Sequence, residues 1–513
     1  MPALQITKRI VTSNKKVPIN KRTLLLAALS FCTLGLCGLG VAAEEGLRAP
    51  TDKPNIIFIL VDDLGWQDVG YMGAKFYETP NIDQLAADGI NFTQAYSSGP
   101  NCAPTRACLM TGTYTPRHNI YTPGGASKGD PSWMRLLVPA AERTDKELKK
   151  QAREQFDITN NLSGDFICIP EVLKQSGYAS ARLGKWHLGG DTQGFDISSG
   201  DGIGGPHESF YGNIDVAENL TNRSLQFIED NKDKPFFLYL SHWDVHTPFQ
   251  ARSPIVEKYQ AKLDAMPFAE QQELKTRIPF YNKSRIPTYA AMIEAVDTSV
   301  KRVVAKVDEL GLAENTIIIF TSDNGGLHTV SQLAPLRGMK GSLFEAGVRV
   351  PACVRWTGQI KPGRTSATAI ASVDFLPTLA SLGDAPLPTT QPVDGTDISP
   401  LFFGDEIKDR SLFWHFPLYL WGIGLDFDLP NGKTTSWRGF PSTSMVRGQY
   451  KMIQFLEDKS FALYDLSTDA GEQNNIIDSM PELASRLKKE MHAWQKKTNA
   501  PIPDIPNPEC ILK

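Results

Sequence analysis

The sequence predicts an α/β protein: a large mixed, mostly parallel sheet sandwiched by helices, with a smaller C-terminal domain of antiparallel sheet plus a terminal helix. Three observations lead there. Asn55–Val61, 235–240 and 316–320 are continuous apolar runs, the signature of strands buried on both faces. Helix-like segments alternate with them, and the stretch from Tyr289 to Leu310 sets Ile293, Val296, Val300, Val303, Val304 and Val307 on one face, with Gly311 as its cap. After about Gly404 the texture changes to short strands at 411–415, 444–447, 450–455 and 461–466, with a final helix over roughly 481–498. The expected division is an α/β domain at 50–404 and an antiparallel-sheet subdomain at 405–513, behind a leading segment at 1–43.

That leading segment begins with Lys8, Arg9, Lys15, Lys16, Lys21 and Arg22 and continues as an apolar run from Leu24 to about Ala43. Val41-Ala42-Ala43 offers small residues for cleavage, so the segment reads as a signal peptide and the protein as exported, periplasmic or secreted. An uncleaved anchor is the competing reading, since the run approaches spanning length. Leu36 before Cys37 fits a lipoprotein site poorly, so no stable membrane anchor is expected. A formal charge of −4 over 513 residues, with no long basic patch, argues against a nucleic-acid partner. Seven cysteines occur, and Cys32 and Cys37 lie in the leading segment. The odd remainder, Cys102, Cys108, Cys168, Cys353 and Cys510, asks for an explanation in an exported chain.

The first buried strand ends in Asp62-Asp63, and the strand at 316–320 runs into Asp323-Asn324. Open α/β sheets place ligands at the carboxyl ends of their strands. Four oxygen-bearing side chains from two such ends, without the His or Cys spacing of zinc, point to a hard cation such as calcium or magnesium. A short helix opens at Thr79-Pro80, and the charged stretch from Gly124 to about Asp165, with a helix near 147–154, reads as a surface insertion. Between the first two strand ends lies Cys102-Ala103-Pro104-Thr105-Arg106. Pro104 suits the first turn of a helix, which would set Cys102 at its positive end and Arg106 one turn on. Taken alone, the run is most simply a helix N-terminus with a buried cysteine. Lys185 and His187, bracketed by Gly184 and Gly189, can point the same way from an extended strand end. The strand at 235–240 leads into Ser241-His242-Trp243-Asp244-Val245-His246-Thr247-Pro248, and residues 252–285 read as broken polar helices.

Cys102-x-Pro104-Thr105-Arg106, continuing to Leu109, Thr111 and Gly112, resembles the signature of the type I, formylglycine-dependent sulfatases of the alkaline phosphatase superfamily. Thr105 stands where that family most often has serine. Gly184-Lys185-Trp186-His187-Leu188-Gly189 resembles the second sulfatase signature, and the likeness covers residues 54 to about 498. It implies that Cys102 is converted to formylglycine (3-oxoalanine) by a formylglycine-generating or equivalent sulfatase-maturing enzyme. Asp62, Asp63, Asp323, Asn324 and residue 102 would then hold Ca2+, with Mg2+ as the alternative. The hydrated aldehyde would attack sulfur, Arg106 and Lys185 would stabilise its oxyanion, and His187 would hold and later deprotonate the second hydroxyl. His246 would protonate the leaving oxygen, and Lys340 would fix the sulfate. The implied activity is hydrolysis of sulfate esters, on a sulfated polysaccharide or oligosaccharide. Trp243, His415, Arg438 and Arg447, with Trp414, Trp421 and Trp437, are candidates for a sugar-binding wall, since aromatics stack on sugar faces and Arg grips anions. The alternatives are a phosphonate or phosphodiester hydrolase using the same site, and a non-catalytic carbohydrate-binding protein on the same fold.

Overall fold

The computed structural model describes residues 53–155, 157–190, 192–199, 213–428 and 434–512, so the export segment expected at 1–43 lies outside the described residues. An eight-stranded sheet runs in the order Arg364–Ser366, Ile90–Phe92, Ala352–Trp356, Thr316–Ser322, Asn55–Val61, Phe236–Ser241, Ala179–Gly184 and Ile197–Ser198. The pairings within the span from Thr316–Ser322 to Ile197–Ser198 are parallel. Ala352–Trp356 enters antiparallel to both its neighbours, which makes the sheet mixed.

Both faces of the central strand are buried, as its unbroken apolar run predicts. Ile57, Ile59 and Val61 face a core built with the helices Val216–Asp230 and Ile286–Glu309. Ile56, Phe58 and Leu60 face the opposite core, with the helices Cys102–Thr111 and Phe375–Leu382. This period-two split between two helix layers gives the α/β sandwich its shape. Burial on this scale contributes about 25 cal/mol for each Å² of apolar surface removed from water.

Register does the positioning. Val61 pairs with Ser322, Leu60 with Ser241, and Gly184 with Ser241. Four parallel strands therefore end at one level, and the residues that follow them, Asp62, Asp323, His242 and Lys185, emerge along a single edge.

The C-terminal sheet is antiparallel, in the order Ser411–Phe416, Ser442–Arg447, Tyr450–Phe455 and Phe461–Asp465. The helix Pro481–Thr498 buries Ala484, Leu487, Met491 and Trp494 against it, with the Trp494 ring stacked 4.7 Å from that of Phe413. That core also takes in Tyr96, Cys108, Tyr114 and Val348, so the sheet packs on segments flanking the Cys102 helix. The sequence reading did not foresee the pair Leu420–Asp428 and Thr434–Gly439, because Gly422, Gly424 and the acids interrupt any two-residue alternation. The short strands at 90–92, 349–350, 364–366 and 370–371 are too brief to show a period. Among the described residues no helix is long and apolar enough to cross a membrane. Cys102, Cys108, Cys168, Cys353 and Cys510 are all free thiols, and all but Cys510 are buried.

A fully buried ionic cluster joins this sheet to the rest. Lys451 Nζ lies 2.9 Å from Glu345 Oε1 and 3.0 Å from Glu472 Oε1. The Glu345 N–H donates to Glu472 Oε2 at 2.7 Å, and Tyr96 Oη to Glu345 Oε2 at 3.1 Å. Removing the shared cation leaves two buried carboxylates uncompensated. Lys451→Met is therefore expected to lower stability by about 3–5 kcal/mol. Thermal or urea unfolding checks this, with the same substitution at exposed Lys301 changing stability by no more than about 0.5 kcal/mol.

Candidate functional site

The Cys102–Thr111 helix is buried along its whole length and starts after extended Asn101. Cys102 opens it, 2 % exposed, at the end where free N–H groups and the helix dipole favour negative charge. Thr105 Oγ1 donates to Gly99 O at 2.8 Å, pinning the approach. Threonine makes this bond as serine would, so the departure from the family pattern costs nothing visible.

Arg106 reaches from that helix across the sheet edge. Its Nε and Nη2 donate to Asp323 Oδ2 at 2.9 and 2.7 Å, and Nη1 donates to the Lys185 carbonyl at 2.7 Å. Lys185 Nζ pairs with Asp62 Oδ2, and Lys340 Nζ with Asp63 Oδ1. Asn324 Nδ2 donates to Asp63 Oδ1 at 2.9 Å, and the Asp63 N–H donates to Asp323 Oδ1 at 3.2 Å. His246 Nε2 stands 3.8 Å from Asp63 Oδ2. The four acidic or amide side chains, Arg106, Lys185, His246 and Lys340 thus surround Cys102. His187 joins them past the end of the Ala179–Gly184 strand, its Nδ1 buried and without a hydrogen-bond partner among the described residues.

Two of these residues hold a strained backbone. Asp63 has φ 66° and His187 φ 67°, the left-handed region that disfavours side chains by roughly 1–2 kcal/mol. Such conformations persist where the surroundings fix them, and here both lie just past the ends of strands, Asp63 after Asn55–Val61 and His187 after Ala179–Gly184.

The electrostatics describe a crowded anionic floor under cations. Burial raises the Asp62 pKa, against the pull of Lys185. Burial and then the charge of Asp62 raise that of Asp323. At Asp63 burial is outweighed by Lys340 and His246, and its pKa falls. His187 and His246 are each held down to about 3, by burial first and by Lys185 next, so both are neutral near pH 7.

These groups fit a metal ion. Asp62 Oδ1 and Asn324 Oδ1 are buried acceptors without a hydrogen-bond partner among the described residues. Ligand atoms of Asp62, Cys102 and Asp323 lie within 4.8 Å of one another, as do those of Asp62, Asp63 and His246. Orphaned carboxylate and amide oxygens converging on one point are the donor set of a hard divalent cation.

The nominated sugar-binding residues divide. The Trp243 ring sits 5.3 Å from Lys185 Nζ, beside the site. Arg438 lies against the turn after Lys340, where a Cβ on Gly341 would meet its Nε at 2.9 Å. His415 is not brought to the site. It is buried in the C-terminal sheet, with Nδ1 2.8 Å from Thr443 Oγ1 and Nε2 2.8 Å from the Pro501 carbonyl, so both ring nitrogens are spent on packing. Arg447 is likewise elsewhere, paired with Asp409 and Glu490 at 2.9 Å each. Trp414 is buried and donates to the Ser97 carbonyl at 2.6 Å. Sequence reasoning missed Ser241, whose Oγ accepts from Arg106 Nη1 at 2.5 Å. A lone polar residue closing the apolar run at 236–240 was the available signal.

A family model described as sulfatase matches residues 54–385. The chain belongs to the sulfatase family. A second model, for the C-terminal region of N-sulphoglucosamine sulphohydrolase, matches residues 339–497. A sulfatase of Formosa agariphila is 29 % identical, covering 90 % of this chain and 92 % of that protein. Human arylsulfatase A is also 29 % identical, covering 88 % and 89 %. The solved structure of Ps i-CgsB in complex with k-i-k-neocarrahexaose superposes with a TM-score of 0.66 at 26 % identity, covering 88 % of this chain and 94 % of that one. This sulfatase is accordingly a sulfuric ester hydrolase on the α/β fold expected, and the family generally uses formylglycine and a divalent metal.

The orphaned oxygens generate a test. Elemental analysis of the purified protein is expected to find one divalent cation per chain. Asp62→Asn and Asp323→Asn should each weaken its retention by at least about tenfold in chelator competition.

Proposed function

We propose that this sulfatase hydrolyses a sulfate ester of a carbohydrate outside the cytoplasm, with formylglycine formed from Cys102 as nucleophile and calcium beside it. The observation that carries the reading is the ring of Asp62, Asp63, Asp323, Asn324, Arg106, Lys185 and Lys340 around one buried cysteine at a helix N-terminus. A structural cysteine would need no such company. The carbohydrate is supported by the N-acetylgalactosamine-6-sulfatases among the relatives and by the k-i-k-neocarrahexaose in the complex above. Export rests on the basic and apolar leading segment.

Calcium, held by Asp62, Asp63, Asp323 and Asn324, would supply Lewis-acid polarisation and lower the pKa of an oxygen on residue 102. Lys340 and Lys185 bind the sulfate oxygens and share their charge. Arg106 is locked on Asp323 and holds the floor of the site rigid while its charge favours an oxyanion at residue 102. His246 is neutral in the free enzyme because burial and two ammonium groups, those of Lys185 and Lys340, oppose its charge. An incoming sulfate offsets those ammonium groups, which lets His246 take up a proton and pass it to the leaving alcohol oxygen. His187, also neutral, is the acceptor for a proton released at residue 102.

Three measurements test this. Mass spectrometry of the peptide containing residue 102, after co-expression with a maturing enzyme, should show an aldehyde in place of the thiol. Cys102→Ala should abolish turnover of an aryl sulfate. His246→Ala should lower kcat by about 10²–10⁴-fold on an alkyl or sugar sulfate. The His246→Ala loss should be smaller on 4-nitrophenyl sulfate, whose leaving group needs no proton. Equal losses on both would remove His246 from the role of acid.

A further inference from the structure

Three cations of the site are each matched by one carboxylate: Arg106 by Asp323, Lys185 by Asp62, and Lys340 by Asp63. Arg438 is a fourth cation, with no such partner among the described residues. It stands on the strand Thr434–Gly439, and that strand packs so closely on the turn after Lys340 that a Cβ on Gly439 would lie 2.3 Å from the Gly341 carbonyl oxygen. Its Nε is buried and has no hydrogen-bond partner among the described residues. Burial pushes its pKa down, and the opposing fields come from Asp63 and Cys102, across the site, and not from an acid of its own. A half-buried guanidinium without a counter-charge carries a desolvation cost that a ligand anion would offset. Its planar fork suits the paired oxygens of sulfate and carboxylate.

His328 stands within range of that charge. Its Nδ1 is buried and has no hydrogen-bond partner among the described residues, and burial, then Arg438 and Arg285, hold its pKa at about 4. The ring is neutral near pH 7 and keeps one N–H to donate. The Phe280 ring packs edge-on against it at 5.1 Å and fixes its plane. The scissile sulfate already has Lys185 and Lys340, so these further groups are left for a different anion.

We propose that Arg438, assisted by His328, binds a second anionic group of the substrate, a sulfate or a carboxylate on the same sugar or its neighbour, so that the preferred substrate is a carbohydrate bearing at least two anions. This deepens the sulfatase reading above and rests on it.

The test uses the full-length, matured enzyme and sulfated monosaccharides and disaccharides offered in three matched forms: one sulfate, two sulfates, and one sulfate beside a uronic acid. Wild type should favour a dianionic form by at least about tenfold in kcat/KM, the scale of one charge-assisted hydrogen bond. Arg438→Gln should remove that preference, acting mainly on KM, and Arg438→Lys should restore part of it. The two dianionic forms distinguish a sulfate subsite from a carboxylate subsite, and a preference for either supports the proposal. Loss of activity by Arg438→Gln to the same extent on all forms and on 4-nitrophenyl sulfate would assign Arg438 to the scissile sulfate and overturn it. Wild type turning over 4-nitrophenyl sulfate but showing no dianion preference overturns this proposal alone. A wild type inert on every sulfate ester overturns the sulfatase reading and this one with it.

Discussion

Six buried charges in three ion pairs, at one edge of one sheet, are the constraint on which the rest of the structure depends. Moving a single ion into such an interior costs several kcal/mol, and attraction between partners repays it only when geometry is good and the remaining hydrogen bonds are made. Arg106 shows how this is met. Its guanidinium spends two nitrogens on Asp323 and the third on the Lys185 carbonyl and Ser241 Oγ, so one side chain ties a helix to the ends of three strands. The strands can offer those partners together only because Val61, Ser322, Ser241 and Gly184 share one register level. A slip of one residue in any pairing would send the acid to the opposite helix layer.

The pairs are arranged unevenly, and the unevenness is what a catalytic site needs. Lys340 and Lys185 face both carboxylates and the space where an anion would sit, whereas Arg106 is turned wholly toward the protein. Asp62 keeps one oxygen bonded to Lys185 and leaves the other without a hydrogen-bond partner among the described residues, 4.0 Å from Arg106 Nη2. Left as they stand, those oxygens are a deficit of the fold. Opposite a divalent cation, as proposed, they would serve as ligands, and the strained backbone at Asp63 lies directly beside one of them. Stability and function therefore pull on the same atoms in opposite directions, as expected of a pre-organised site.

Much of this was legible in the residues because the central strands of the sheet are parallel. A strand buried on both faces must be apolar throughout, so Asn55–Val61 and Thr316–Ser322 announce themselves, and so do the acids that end them. The long helix at 286–309 is legible for the same reason, with a strict apolar face and a glycine at its end. The antiparallel hairpin at 420–439 was not, since glycines and acids break its alternation. His415 and Arg447 looked like sugar ligands by type alone, and tertiary contacts settled otherwise. His415 is held from both ring nitrogens, and Arg447 is held by two acids that lie far off in sequence. Sequence spacing reports which residues can share a strand end; it does not report which lone cation is already neutralised.

Arg438 differs from Arg447 in that one respect, and the difference divides labour within the fold. The groups proposed to handle the sulfate gather at the sheet edge: the acids and Lys185 directly after strand ends, Cys102 and Arg106 on their helix, and Lys340 on the loop between Ser322 and Glu345. The strand carrying Arg438 comes from the C-terminal part of the chain, laid on the Lys340 turn through contact at Gly341 and Gly439 and anchored behind by Lys451, Glu345 and Glu472. A change in that hairpin can alter which neighbouring groups a sulfate must carry while leaving the three ion pairs untouched. A change at the sheet edge cannot be made without unpairing a buried charge. Specificity is thus free to vary where chemistry is not, because the two are built on elements whose packing constrains them to different degrees.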